Sequence, residues 1–77
     1  MSTARTRPRE DLAAMLAGSI GQAAGLERVE QACRDLQLSD AEVTQQQALA
    51  IFEHLAKEPG LVGIAARFAK SRVILAW

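Results

Sequence analysis

The sequence predicts an all-α fold: a small bundle of three to four short helices with an apolar C-terminal segment, in a chain that forms dimers. Three observations support this prediction. The chain has 77 residues, which is enough for one small domain. Hydrophobic residues make up 49% of it, which is typical of globular rather than disordered chains. Apolar side chains recur at intervals of three and four residues in several windows, as on one face of a helix.

The N-terminal residues are polar and show no periodicity. We therefore expect residues 1–8 to form a flexible basic arm ahead of a single helical domain at residues 9–77. Pro8 suits the first turn of a helix, where a missing backbone N–H costs little.

The first helix is predicted over residues 9–24. Its apolar positions follow helical spacing: Leu12, Leu16, Ile20, Ala23 and Ala24. Gly18 and Gly21 weaken this helix, because glycine in a helix interior costs up to about 1 kcal/mol relative to alanine. Two alternatives remain open: another helix packs closely against the glycines, or the helix breaks there.

The second helix is predicted over residues 26–37, after Gly25 as a helix stop. Its apolar stripe consists of Leu26, Val29, Cys33 and Leu36. Cys33 lies on this stripe, and we interpret it as a small core side chain rather than a reactive thiol.

The third helix is predicted over residues 40–58. Ser39 and Glu42 match a capping box, in which each side chain bonds the backbone N–H of the other residue. The expected buried face consists of Ala48, Leu49, Ile51, Phe52, Leu55 and Ala56. Pro59 and Gly60 form a turn that ends this helix.

Residues 61–77 form the most apolar segment. A helix is predicted over at least residues 61–71, with one narrow polar arc composed of Gly63, Arg67, Lys70 and Ser71. Residues 72–77 are partly β-branched, so both a helical and an extended conformation remain open.

The charges are segregated although the net charge is zero. Residues 1–9 carry a net charge of +3, residues 10–59 carry −6, and residues 60–77 carry +3. This order predicts that the two basic ends lie against the acidic middle, in the same chain or in a second copy. Chance fluctuation over short windows is the alternative.

The sequence argues against an enzyme and against a metal or cofactor site. His54 is the one candidate general base, and no nucleophile lies one helical turn away from it. One cysteine and one histidine cannot supply a zinc site with four Cys and His ligands. The glycines at positions 18, 21 and 25 lack the spacing and the lysine of a phosphate-binding loop. We expect no catalytic residues, no metal and no cofactor.

Two other binding functions are alternatives: a DNA-binding regulator and a membrane-surface helix. Residues 26–37, a turn at Leu38-Ser39 and a helix from Asp40 have the order of a helix–turn–helix, with Gln45–Gln47 early in the second helix. The acidic middle argues against contact with nucleic acid. The cationic, apolar C-terminal segment also fits a membrane-surface helix, although three positive charges are few.

The function predicted by this reasoning is a non-enzymatic protein–protein interaction module: a small adaptor, chaperone-like or regulatory protein that binds through apolar helix faces. The expected partners are a second copy, as a homodimer, and another protein. The N-terminal residues lack the apolar stretch of a signal peptide, and no apolar run is long enough to span a bilayer, so a cytoplasmic location is expected. The expected interaction residues are Leu61, Ile64, Arg67, Phe68, Arg72, Leu75 and Trp77.

Overall fold

The computed structural model describes residues 5–77, which form four helices and a small sheet. In chain order the elements are β1 (Thr6–Pro8), α1 (Arg9–Ile20), α2 (Gln22–Asp35), β2 (Glu42–Thr44), α3 (Gln45–Leu55) and α4 (Leu61–Leu75). The predicted small helical bundle is confirmed. The order strand–helix–helix occurs twice, a repetition that the sequence does not reveal.

The two strands pair antiparallel, with Thr6 opposite Thr44 and Arg7 opposite Val43. The expectation of a flexible arm over residues 1–8 is therefore wrong for residues 6–8, while residues 1–4 lie outside the described residues. The partner strand is some 36 residues away and each strand has three residues, so no local periodicity could predict the pairing. Val43 is buried and anchors the sheet to the helical core.

The first predicted helix breaks at Gly21. This residue has φ 87°, a left-handed conformation that side chains disfavour, and it separates α1 from α2. The predicted stop at Gly25 is wrong, because Gly25 lies inside α2 and is buried. An added Cβ there would lie 2.8 Å from the backbone oxygen of Ala13. Gly25 thus allows α2 to pack closely on α1.

The capping box predicted at Ser39 and Glu42 is also wrong, since β2 occupies residues 42–44. The helix begins at Gln45, with Thr44 as its N-cap. The backbone N–H of Gln47 donates to Thr44 Oγ1 at 3.2 Å, and the N–H of Thr44 donates to Gln47 Oε1 at 2.9 Å. A capping box therefore forms five residues later than predicted, because residues 42–44 pair with β1 as a strand.

The core lies where the four helices meet. Phe52 is its largest fully buried side chain, and the predicted burial of Cys33 is confirmed. The other core members are Leu12, Leu16, Val29, Ala32, Val43, Ala48, Ile51, Leu55, Ala65, Ala66, Ala69 and Val73. The members from α4 are three alanines and one valine, so this helix buries small side chains.

The α2–β2 connection is held by an arginine from the N-terminal basic segment. The Arg9 guanidinium donates to the backbone oxygens of Leu38 and Asp40, at 3.0 and 2.8 Å. Arg9 therefore serves a structural role in orienting residues 36–41 beside the start of α1.

Candidate functional site

Helix α4 exposes large apolar side chains to solvent. Leu61, Ile64, Phe68 and Leu75 are all exposed, Phe68 by 68% and Leu75 by 84%. They lie at positions i, i+3, i+7 and i+14, which places them on one side of the helix. We call these four residues the α4 stripe. Residue Ser71 occupies the i+10 position of the same pattern.

The exposure follows from the small residues on the opposite side of α4. Ala65, Ala66, Ala69 and Val73 are buried, and α4 packs on α3 and α1 through this side. Because the small side chains fill the contact, the larger ones on the opposite side of the helix stay about half exposed or more. Gly63, which the sequence placed on the polar arc, is also buried, beneath residues 56–58.

Helix α4 is longer than the minimum of residues 61–71 that the sequence predicts. It continues to Leu75, and Ala76 ends it with φ −152° and ψ 80°. The extended alternative is therefore wrong for residues 72–75. The continuation brings Leu75 onto the stripe, one full heptad after Phe68.

Arginines flank the α4 stripe on both sides. At about 100° per residue, Arg67 lies on one flank and Arg72 on the other. Both are exposed, and neither forms an ion pair within residues 5–77. Lys70 differs, because its Nζ lies 3.0 Å from Glu53 Oε2 on α3. The segment after Gly60 contains no acid, so every charged side chain on α4 is cationic.

The stripe continues into a shallow groove beside α1. The groove has a volume of about 540 Å³ and lies between Ala14 and Met15 of α1 and Arg72, Leu75 and Ala76. Sequence reasoning missed the α1 side of this groove, and it missed Ile74, which is 58% exposed on α4. The spacing of Leu61, Ile64, Phe68 and Leu75 was visible in the sequence. The direction in which the stripe faces was not.

Trp77 is directed towards β1. Its indole Nε1 donates to the backbone oxygen of Arg5 at 2.9 Å, and its own backbone oxygen accepts from Arg7 Nε at 3.0 Å. The Arg7 guanidinium also lies 5.3 Å from the ring centroid, a cation–π arrangement. Trp77 is thus half-buried by intramolecular contacts, and a role for it in binding a partner stays a prediction.

Both basic ends of the chain contact the acidic middle, as the charge pattern predicts. Arg9 binds the backbone oxygens of Leu38 and Asp40, and Lys70 pairs with Glu53. The two ends also meet each other, through the hydrogen bonds and the cation–π contact at Trp77.

Cys33 and His54, the two residues considered for catalysis, have contacts that suit a structural role. Burial raises the pKa of the Cys33 thiol, which favours its uncharged form. His54 Nε2 lies 2.9 Å from Asp35 Oδ2, and Gln31 Nε2 donates to Asp35 Oδ1 at 2.9 Å. These two hydrogen bonds, with His54 the larger cause, lower the pKa of Asp35. Among residues 5–77 no group of three or more His, Cys, Asp or Glu could hold a metal ion.

Helices α2 and α3 do not have the geometry of a helix–turn–helix. Residues 36–44 connect α2 to α3 and include β2, whereas the motif uses a turn of about three to four residues. Gln45 Nε2 donates to the backbone oxygen of Val73 at 2.9 Å, and Gln47 forms the capping box. Two of the three glutamines are therefore engaged within the chain. No helix in residues 5–77 has the length and apolarity needed to cross a bilayer.

Comparison of the chain with protein-family models, curated proteins and solved structures found no match. The most distinctive feature of the described surface is the α4 stripe with Arg67 and Arg72 beside it.

Proposed function

We propose that this chain is a non-enzymatic protein–protein interaction module, a small adaptor, chaperone-like or regulatory protein, and that the α4 stripe is its binding surface. The observation that carries the proposal is the exposure of Leu61, Ile64, Phe68 and Leu75 on one side of a helix whose other side is packed into the core. Contiguous exposed apolar surface of this kind marks interaction sites in folded proteins.

The energetics support a partner that covers the stripe. Full burial of one Leu, Ile or Phe side chain contributes about 1.5–3 kcal/mol. Because the four stripe residues are each about half exposed or more, a partner that covers them all regains several kcal/mol. The helix is already folded and packed, so little conformational entropy is lost on binding. Anchors at i, i+3 and i+7 are the pattern used when helices bind one another.

The stripe would accept one of two kinds of partner in our proposal, another protein or a second copy of the chain. A second copy would place one stripe on the other in a two-fold dimer, which is a common means of covering apolar surface in small domains. The single cysteine is buried and unpaired, which suits the reducing cytoplasm that we propose as its location.

The test compares two substitutions on the same helix. Phe68→Ser removes the central anchor of the stripe, whereas Ile74→Ser removes a similarly exposed side chain about 120° further round the helix. Both variants should melt close to the wild-type temperature. Sedimentation equilibrium at tens of micromolar and quantitative capture of proteins from an extract of the source organism measure binding. We expect Phe68→Ser to lose association and Ile74→Ser to retain it.

Two results would contradict the proposed function. One is a wild-type chain that stays monomeric and captures nothing above the bead background. The other is identical association by wild type, Phe68→Ser and Ile74→Ser, which would place any interface away from the stripe.

A further inference from the structure

We propose that the α4 stripe receives an amphipathic helix of another protein, and that this partner helix carries Asp and Glu on both sides of its apolar face. The carboxylates would lie against Arg67 and Arg72. This inference rests on the proposed function and specifies the chemistry of the partner.

The spacing of the stripe fits a helix lying along α4. Leu61, Ile64, Phe68, Ser71 and Leu75 occupy successive a and d positions of a heptad pattern. From Leu61 to Leu75 the stripe is about 21 Å long, at 1.5 Å per residue. A partner helix of about four turns covers this length. Its own apolar residues would repeat at the same interval and pack between those of α4.

The flanking charges specify the sign of the partner. In the same heptad pattern Arg67 occupies a g position and Arg72 an e position, which are the positions that pair across a helix interface. Both side chains are exposed and form no ion pair with any other residue of the described chain. Arginine binds carboxylates with two parallel hydrogen bonds where the geometry permits. Acidic flanks on the partner therefore complement α4.

A second copy of this chain fits less well. A copy that used its own stripe would bring arginines against arginines, because α4 contains no acid to alternate with them. A copy that used another face would offer no comparable apolar surface, since the large exposed hydrophobic side chains found in residues 5–77 all lie on α4.

An anionic membrane would also attract an apolar stripe flanked by arginines. Peripheral binding of this kind gains strength from many cations, about 1 kcal/mol for each near the surface. Only two unpaired arginines flank the stripe, and the indole of Trp77, the residue best suited to an interface, is hydrogen-bonded to the backbone oxygen of Arg5. A protein helix is therefore the better fit, and vesicles form a separate arm of the test.

The probes are two labelled synthetic peptides of about 18 residues, a little longer than α4. Both carry Leu at a and d positions, and one has Glu and the other Lys at every e and g position. Like charges at these positions keep each peptide from pairing with itself. Fluorescence anisotropy measures their binding to the full-length chain. We expect the Glu peptide to bind at least about tenfold more tightly than the Lys peptide, and to weaken as salt rises.

Three variants make the result specific. Arg67→Glu combined with Arg72→Glu should reverse the preference, so that the Lys peptide binds more tightly. Phe68→Ser should abolish binding of both peptides, and Ile74→Ser should leave both affinities unchanged. Circular dichroism and thermal melting establish that each variant is folded, as expected for exposed positions.

Each other outcome overturns the inference in a distinguishable way. Equal binding of the two peptides, still lost in Phe68→Ser, retains the interaction function and rejects the acidic partner. A dimer lost in Phe68→Ser and not displaced by the Glu peptide identifies a second copy as the partner. Co-sedimentation with phosphatidylglycerol vesicles without peptide binding identifies a membrane and rejects both proposals. Binding of neither peptide and of no vesicle also rejects the inference.

Discussion

Substitution of Gly25 tests the close contact between α1 and α2. An added Cβ would lie 2.8 Å from the Ala13 backbone oxygen and 3.4 Å from Leu16 Cβ. A backbone oxygen cannot relieve the clash by a rotamer change, as a flexible side chain can, so the two helices must move apart. Overpacking of this kind typically costs about 1–3 kcal/mol. The better helix propensity of alanine returns up to about 1 kcal/mol, so Gly25→Ala should be neutral to destabilising by about 2 kcal/mol.

Gly18→Ala is the matched control on α1. Nothing lies within 4 Å of a Cβ added there, so the variant receives the propensity gain without a clash. We expect it to stabilise the fold by about 0.5–1 kcal/mol. The two variants should therefore differ by about 1–3 kcal/mol, and each kcal/mol corresponds to roughly 4–8 °C in Tm for a domain of this size. Thermal melting followed by circular dichroism measures the difference. Equal Tm values for Gly18→Ala and Gly25→Ala would refute the close packing of α2 on α1.

Three further predictions concern local interactions. Thr44→Ala should lower the free energy of unfolding by about 0.5–2 kcal/mol through loss of the N-cap of α3, whereas Ser39→Ala should have little effect; urea titration showing the opposite order would place the cap at Ser39. Phe52→Ala should cost about 3–5 kcal/mol, since Phe52 is fully buried, and a Tm within a few degrees of wild type would contradict its central position. His54→Ala should raise the pKa of Asp35, measured by NMR titration of its carboxyl carbon. Because the folded state lowers that pKa, the carboxylate favours folding above its ordinary pKa, and this contribution disappears as the pH falls through the lowered value. An unchanged Asp35 pKa in His54→Ala would show that the hydrogen bond is absent.

Contacts between residues far apart in the sequence determine where several helices begin and end, and local sequence patterns do not show them. Both Ser39 and Thr44 precede a suitable capping residue by three positions, and the sequence offers no reason to prefer Thr44. The choice is made by β2, whose partner strand lies near the other end of the chain. Gly25 likewise is a residue type that commonly ends helices, yet it lies inside α2. A glycine is required there because the backbone of Ala13 lies too close for a side chain. Non-local pairing and packing therefore overrode local preference.

The sequence by itself determined the helical class, the apolar faces of the second and third predicted helices, and the core position of Cys33. These follow from periodicity, because an apolar face at helical spacing must be buried somewhere. The sequence also identified residues 61–77 as unusually apolar and included the stripe residues Leu61, Ile64, Phe68 and Leu75 among its interaction residues. The tertiary structure alone decided which side of α4 enters the core. Both sides are apolar, so hydrophobicity does not distinguish them. Size does: the side with Ala65, Ala66, Ala69 and Val73 fits closely against α1 and α3, and the larger side chains are left facing solvent.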